Sequence, residues 1–237
     1  LNNQIHKFEN KLFQSSFGEY AQGGEFCDKS IILGQFANIS KYQEFAENAL
    51  IIAQGRKKLE KIIKSESNYV FGSSKLTIKD NMLMYAAGID ESNANGKIIL
   101  LPKDSFKIAT LLRKKLQKKY KIKNLGVLIT DSRVFPLRAG VVGVALGHAG
   151  FKGVLDYRGT RDIFGKIFKI SRTNLADSLA TSAVVCMGEG KEQQPLALIM
   201  DAPVVFANKI NKKELIINPK DDLYLPLFRS IPRSRDL

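Results

Sequence analysis

Three acidic residues, Asp90, Asp131 and Glu189, each lie in a short segment that is rich in Gly, Ser, Thr or Asn. Each segment follows an apolar stretch that is typical of a strand or a buried helix, whereas the chain as a whole carries a formal net charge of +14. Mg²⁺ and Mn²⁺ prefer carboxylate and hydroxyl oxygens, and they often share their ligand shell with substrate phosphates. We therefore expect these carboxylates to form a divalent-cation site that faces anionic substrates.

The composition indicates a globular protein, because 44% of the 237 residues are hydrophobic and 25% are charged. No apolar run approaches the roughly 20 residues that a membrane helix needs. The two cysteines, Cys27 and Cys186, are far apart in the sequence, and the first residues do not resemble a signal peptide. We therefore expect reduced thiols, a cytoplasmic location and no membrane contact.

The excess of basic residues, 37 Lys and Arg against 23 Asp and Glu, has three explanations. It can reflect a lysine-rich solvated surface, a pocket for polyanionic small molecules such as nucleotides, or nucleic-acid binding. The densest basic run, 113–119, belongs to a predicted helix with an apolar stripe, so its lysines are expected to face solvent. No nucleic-acid-binding motif appears, and a nucleic-acid partner is not expected.

Hydrophobic periodicity and capping residues mix helices and strands in an α+β pattern. They predict helices over 41–66, 104–119 and 173–187, a hairpin or strand pair over 75–87, and strands over 30–34, 97–102, 126–130, 168–172 and 195–200. Asp131 directly follows the strongest strand, a common place for an active-site carboxylate in α/β proteins. The glycine-rich stretch 134–153 indicates close backbone packing or ligand approach.

Six ordered segments resemble the γ-glutamyl ligases that add glutamate to the deazaflavin coenzyme F-420. The similarity covers about residues 78–200 and keeps the order and spacing of the family's motifs. The segments are Gly-Ile-Asp-Glu-Ser-Asn (88–93), Ile-Thr-Asp-Ser (129–132), Pro-Leu-Arg-Ala-Gly (136–140), Val-Ala-Leu-Gly-His-Ala-Gly (144–150), Leu-Asp-Tyr-Arg-Gly (155–159) and Val-Cys-Met-Gly-Glu (185–189).

The resemblance implies an α+β fold with mixed and antiparallel sheets, helices and two interlocked lobes. Residues 1–70 would form a poorly matched N-terminal part, and 71–237 the core with the metal and nucleotide motifs, within one family domain. The implied activity is a GTP-dependent amide ligase that uses two Mg²⁺ or Mn²⁺ ions, with K⁺ as a further cation. The implied substrates are GTP, L-glutamate and the deazaflavin or a folate, and the implied assembly is a homodimer.

The resemblance also assigns site residues. Asp90 and Asp131 match two carboxylates that share one metal ion, and Ser132 and Glu189 match ligands of the second. Nucleotide contacts are expected from Asn93 and from the loop that comprises Met187, Gly188, Glu189, Gly190, Lys191, Glu192, Gln193 and Gln194. A phosphate-binding Lys of the family has no clear counterpart within residues 1–70, so a nucleotide-binding homologue without catalysis is an alternative.

The segment Asp-Ser-Arg-Val-Phe-Pro-Leu-Arg (131–138) departs from the family's usual Asp-Thr-Phe-Gly-Arg-Pro-Trp-Arg. The departure lies near the acceptor, so the acceptor is either the deazaflavin or tetrahydrofolate. Guanidinium groups bind carboxylates and phosphates through two parallel hydrogen bonds. We therefore expect Arg133 and Arg158 to bind substrate and Arg138 to be catalytic. The resemblance further implies a catalytic role for Asp131 as a metal ligand, and His148 is expected on the acceptor side, where it would bind substrate.

Each assignment has a structural alternative. Asp90 can be a turn residue that binds its own backbone, Asp131 a helix N-cap, and Glu189 a solvated loop acid. Arg138 and Arg158 can be surface or ion-paired arginines, with Asp156 and Asp162 as partners. His148 can be a packed core residue. Cys186, at an apolar helix end, is expected in the core.

Overall fold

The computed structural model describes residues 30–35, 50–51, 56–72, 75–92, 94, 97–192, 194–218, 221–224 and 226. Its helices are α1 (Arg56–Glu66), α2 (Ser105–Tyr120) and α3 (Leu175–Met187), with a short 3₁₀ turn at Ala86–Gly88. Its strands are β1 (Ser30–Gln35), β2 (Leu50–Ile51), β3 (Tyr69–Val70), β4 (Leu76–Lys79), β5 (Met82–Tyr85), β6 (Ile98–Ile99), β7 (Leu125–Val134), β8 (Val141–Ala149), β9 (Val154–Asp156), β10 (Arg172–Asn174) and β11 (Leu196–Ile199).

The central sheet has four strands in the order β11-β1-β7-β8. β1 runs parallel to β7 and antiparallel to β11, and β7 and β8 form a long antiparallel pair. A three-stranded antiparallel sheet, β3-β4-β5, and two two-stranded pairs complete the described part. The α+β class with mixed and antiparallel sheets is confirmed, whereas the two interlocked lobes stay a prediction.

Two apolar cores lie on opposite faces of the central sheet. On one face, α3 packs Ala180, Ala183 and Met187 against Leu128 and Ala145. On the other face, α2 packs Ala109 and Leu116 against Val127 and Ile129, and Met84 of β5 joins this cluster. Burying one such leucine or isoleucine side chain contributes roughly 1.5–3 kcal/mol, so β7 is held from both faces.

The helix caps follow the expected local chemistry. The Asp104 carboxylate accepts a 2.8 Å hydrogen bond from the Lys107 amide at the start of α2. The Asn174 side chain accepts a 3.0 Å hydrogen bond from the Asp177 amide at the start of α3. Each cap satisfies an amide that the first helical turn leaves without a partner. The predicted starts of both helices are therefore confirmed, as is the hairpin over 75–87.

Several sequence-based expectations about elements were wrong. Leu50 and Ile51 form β2 and pair with β6 instead of continuing a helix; residues 41–49 lie outside the described residues. β7 continues to Val134 because it stays paired with β8, so Asp131 lies within a strand and is not a helix N-cap. Of the strand expected over 168–172, only Arg172 belongs to a strand. Cys186 is exposed, because its side of α3 faces away from the sheet.

Candidate functional site

The candidate site forms where β7 extends past the end of β1. β1 pairs with β7 only as far as Thr130, so beyond this point the described strands flank β7 on its β8 side alone. The register shifts between Ile129 and Thr130, whose partners are Gly147 and Ala145, so Leu146 of β8 is the extra residue and side chains continue to alternate along β7. Asp131 is the second residue after the shift. It begins a polar segment, Asp131, Ser132 and Arg133, that follows the apolar part of β7.

Strand alternation distributes the polar side chains of this segment between the two faces of β7. Ser132 lies opposite Gly143, whose position faces α3 because a Cβ there would meet the main chain of Ala180. Asp131 and Arg133 therefore lie on the other face, on the side of β5, since successive side chains point to opposite faces. The candidate metal ligands therefore lie on both faces of β7.

On the α3 face, Ser132 contacts Glu189. The Ser132 hydroxyl donates a 2.9 Å hydrogen bond to Glu189 Oε2, across 57 positions of sequence. Glu189 follows Gly188, which ends α3 with a φ of +76° and an amide that donates to the Val184 carbonyl. A φ in this range is easily adopted only by glycine. The glycine therefore turns the chain out of the helix and directs Glu189 toward β7.

Asp90 lies in a short antiparallel bridge with Ile99, and both of its main-chain hydrogen bonds go to that residue. Asp90 Oδ1 accepts hydrogen bonds from the Ser92 amide and hydroxyl, both at 2.7 Å. This arrangement is the turn geometry that was the structural alternative for Asp90. It leaves further lone pairs on the carboxylate, so the turn and a ligand role are compatible.

A strained turn precedes Asp90. Ala86 and Ala87 have φ values of +48° and +57°, which are uncommon for alanine. The buried Thr77 hydroxyl accepts a 2.9 Å hydrogen bond from the Ala87 amide and donates one of 2.9 Å to the Met84 carbonyl. Thr77 thus holds the turn that places Asp90. Sequence reasoning missed this residue, because a threonine within a strand carries no local signal of such a role.

Asp131 is electrostatically coupled to the other two carboxylates. Burial raises the pKa of its carboxyl to about 6, and Asp90 and Glu189 add to this increase through charge repulsion. The Ser132 amide, which hydrogen-bonds the carboxylate, and the Arg133 charge oppose it. The influence of Asp90 and Glu189 on one carboxyl shows that three distant chain segments bring their negative charges into one region.

The donor set fits divalent cations in chemical type. Carboxylates and a hydroxyl are oxygen ligands of the kind that Mg²⁺ and Mn²⁺ prefer. Within the described ranges, no three side chains of the His, Cys, Asp or Glu type come close enough together to enclose an ion by themselves. Ions held here would therefore need oxygens from a substrate or from water in addition to Asp90, Asp131, Ser132 and Glu189.

The expected nucleotide loop is only partly open to solvent. Met187 is fully buried in the core under α3, so its side chain anchors the loop. Lys191, Glu192 and Gln194 are exposed, and Glu192 Oε2 accepts a 2.8 Å hydrogen bond from the Gly190 amide. Asn93 and Gln193 lie outside the described residues. Nucleotide binding by the other residues of this loop stays a prediction.

The predicted arginines lie in different surroundings. Arg133 is partly buried beside Asp131, and its Nη1 donates to the Leu83 carbonyl of β5 at 3.1 Å. Arg138 is exposed in the loop between β7 and β8. Arg158 is exposed and ion-paired with Asp156, whose pKa it lowers to about 2. The ion-pair alternative is therefore observed for Arg158, and only Arg133 is placed against the carboxylates.

His148 lies in the core instead of beside the carboxylates. Its side chain has no exposed surface, and its ring packs between Phe106 and Phe151 at centroid distances of 5.4 and 4.9 Å. It pairs in register with Leu128 of β7, about 10 Å along the strand from Asp131 at roughly 3.3 Å per residue. The structure thus does not bring His148 to the site.

In the part of the chain that the structure describes, no helix has the length and apolar character that crossing a membrane requires.

The sequence of this chain is similar to those of one family of known proteins. A family model described as F420-0:gamma-glutamyl ligase matches residues 29–201. A protein of Methanococcus maripaludis strain C7, named coenzyme F420:L-glutamate ligase, is 41% identical over 138 residues, which cover 58% of this chain and 55% of that protein. A protein of Methanocaldococcus jannaschii with the same name is 35% identical over 163 residues, which cover 69% of this chain and 63% of that protein. The matches thus span little more than half the length of these relatives.

Proposed function

Because the chain belongs to the F420-0:gamma-glutamyl ligase family, we propose that it joins L-glutamate through a γ-glutamyl amide bond to a deazaflavin coenzyme or a related acceptor. The observation that carries this proposal is the convergence of Asp131, Ser132 and Glu189 at the part of β7 that extends past β1, with Asp90 near Asp131. All four residues lie within the segment that the family model matches.

We propose GTP as the source of free energy, since joining a carboxylate to an amine in water is unfavourable. An oxygen of the acceptor carboxylate attacks the γ-phosphorus of GTP, and GDP leaves, which gives an acyl phosphate. The amine of L-glutamate then attacks the acyl carbon, phosphate leaves, and the nitrogen loses a proton. The protein must align these groups and exclude water, as in other phosphoryl transfers.

Two divalent ions would neutralise the triphosphate and orient its γ-phosphate when bound. On the β5 face of β7, Asp90 and Asp131 would hold one ion. On the α3 face, Ser132 and Glu189 would hold the other, and the 2.9 Å hydrogen bond between them supports this assignment. The chain thereby supplies ligands on both sides of a single strand end.

Arg133 supports a folate as the second candidate acceptor. Arg133 stands where the family usually has Phe. Leu137, which is fully exposed, stands where the family usually has Trp. A substitution of an aromatic residue by an arginine next to the site changes which acceptor fits there. Family membership therefore does not decide between the deazaflavin and a folate, and the ligation assay described next distinguishes the two acceptors.

The test is a ligation assay with GTP, Mn²⁺, isotopically labelled L-glutamate and either the deazaflavin or tetrahydrofolate. We expect labelled product with one acceptor by mass spectrometry, and none with Asp131→Asn. Asp201→Asn is the matched control, because Asp201 is exposed with a φ of +51° that asparagine also adopts. Nucleotide binding without product from either acceptor would favour the non-catalytic homologue and contradict the ligase.

We also propose a homodimer. The segment between β9 and β10 exposes Ile163, Phe164 and Ile170 almost completely, and exposed apolar groups in one segment are typical of association surfaces. Light scattering coupled to size-exclusion chromatography should give twice the chain mass. A monomeric mass at micromolar concentration would contradict this assembly.

A further inference from the structure

Arg133 has an unused edge of its guanidinium group. Nη1 donates to the Leu83 carbonyl, whereas Nε and Nη2 are shielded from solvent and have no hydrogen-bond acceptor in the described part of the chain. Burial lowers the pKa of this arginine, and the charges of Asp131, Asp177 and Asp80 oppose that decrease. A guanidinium remains charged in proteins, so two charged donors have no acceptor among the residues that the structure describes.

Nε and Nη2 form the side of a guanidinium that binds two oxygens at once. The same structure contains an example of this binding mode. Arg158 Nε donates to Asp156 Oδ1 at 2.9 Å, and its Nη2 donates to Asp156 Oδ2 at 2.5 Å. The equivalent edge of Arg133 thus has the geometry to bind a carboxylate or a phosphate.

The neighbouring carboxylates do not occupy this edge. Asp177 accepts a 2.8 Å hydrogen bond from the Ala145 amide through Oδ1 and one of 2.6 Å from the Asn174 side chain through Oδ2. Asp131 influences Arg133 by charge, but no hydrogen bond joins the two side chains in the described structure. The contact with Leu83 fixes the guanidinium between β7 and β5, which holds the open edge in place.

We propose that the Nε and Nη2 edge of Arg133 is an oxyanion-binding site that takes a carboxylate or phosphate group of a substrate. This inference deepens the proposed ligase function and rests on it for the identity of the substrates. Arg133 lies two residues from Asp131 on the same face of β7. An oxyanion bound here would lie next to the acidic site, which is where the reacting groups must meet.

The test compares Arg133→Lys with the wild-type protein by calorimetry in the presence of Mn²⁺. Lysine keeps the charge, but it cannot offer two parallel donors. The ligands are GTP, L-glutamate, the deazaflavin and tetrahydrofolate, each titrated separately. We expect a loss of about tenfold or more in affinity for one of them, and that ligand identifies the source of the oxyanion.

Arg161→Lys is the matched control, because exposed Arg161 also donates to a main-chain carbonyl, that of Gly165, at 2.7 Å. We expect its affinities for all four ligands to equal those of the wild type. Thermal melting of both variants separates a folding defect from lost binding. If Arg133→Lys melts like the wild type and binds every ligand equally well, the site does not exist.

The two proposals fail in different ways. Ligation by the wild type with unchanged binding by Arg133→Lys would overturn the oxyanion site and leave the ligase intact. Weakened binding by Arg133→Lys without product from the wild type would support the oxyanion site and overturn the ligase.

Discussion

The Ser132 hydroxyl lies 2.9 Å from Glu189 Oε2, although the two residues are separated by 57 positions of sequence. β7 supplies the serine and the turn after α3 supplies the glutamate. This contact joins the strand to the loop at the candidate site, so its removal tests whether the contact serves function or only holds the loop.

Ser132→Ala removes the hydroxyl and leaves Glu189 without this donor. We expect ligation to fall by about 10–100-fold, the range seen when groups that support a metal site are lost. Ser132→Thr restores the hydroxyl and should recover most of the activity. The measurement is the initial rate of labelled product formation at several Mn²⁺ concentrations.

Ser182→Ala is the control for Ser132→Ala, because the Ser182 hydroxyl donates to the Ser178 carbonyl on the exposed side of α3. It should be fully active. Equal rates for Ser132→Ala and the wild type would contradict a functional role for the hydroxyl.

Thr77→Val keeps the shape of the side chain but removes both hydrogen bonds of the hydroxyl. The buried Ala87 amide and Met84 carbonyl would then lack this partner, which costs roughly 1–3 kcal/mol per buried group. We expect a lower unfolding free energy in urea and a further loss of ligation, since the turn positions Asp90. Thr110→Val is the control, because the Thr110 hydroxyl donates to the Phe106 carbonyl within α2. A Thr77→Val protein as stable and active as the control would show that the turn does not depend on Thr77.

Gly143→Ala tests the close approach of β8 to α3. A Cβ at this position would lie 2.4 Å from the Ala180 carbonyl oxygen and 2.7 Å from a Val184 methyl group. Because the first of these atoms belongs to the main chain, α3 must shift, and overpacking of this kind costs about 1–3 kcal/mol. We expect a melting temperature lower by several degrees.

Gly190→Ala is the control for Gly143→Ala, because the nearest atom there is a flexible Glu192 oxygen at 3.4 Å. It should melt within about one degree of the wild type. Similar melting of the two variants would mean that β8 and α3 do not pack this closely.

Because His148 is buried, we predict that the protein loses stability in acid. Burial lowers the pKa of the His148 imidazole to about 4. In the unfolded chain the imidazole has its ordinary pKa of about 6.5. Above this value both states hold a neutral imidazole and the full stability is present. As the pH falls toward 4, the unfolded state gains a proton first, so the folded state loses stability.

Between pH 7 and pH 5 this loss amounts to up to about 2 kcal/mol. The Glu214 carboxylate, 3.2 Å from Nε2, favours the protonated form and reduces the loss. Urea unfolding at both pH values should therefore show a smaller pH effect in His148→Gln and a larger one in Glu214→Gln. Equal pH effects in His148→Gln and the wild type would mean that the imidazole is not held neutral.

Sequence reasoning succeeded where the controlling interactions are local. The caps at Asp104 and Asn174 act within three residues of themselves, and the hairpin of β4 and β5 follows from alternation over a few residues. The family motifs likewise marked Asp90, Asp131, Ser132 and Glu189 without any three-dimensional information. Local sequence patterns thus determined many of the described elements and the fold class, and the family motifs determined the identity of the candidate metal ligands.

Tertiary structure decided the arrangement of those donors. The extension of β7 past β1 depends on pairing with β8, which no segment specifies alone. The same pairing set Ser132 against the α3 face and Arg133 against β5, because one position along a strand reverses the direction of a side chain. Burial of His148 and exposure of Cys186 depend on which neighbours pack around them, and packing is a property of the folded chain as a whole.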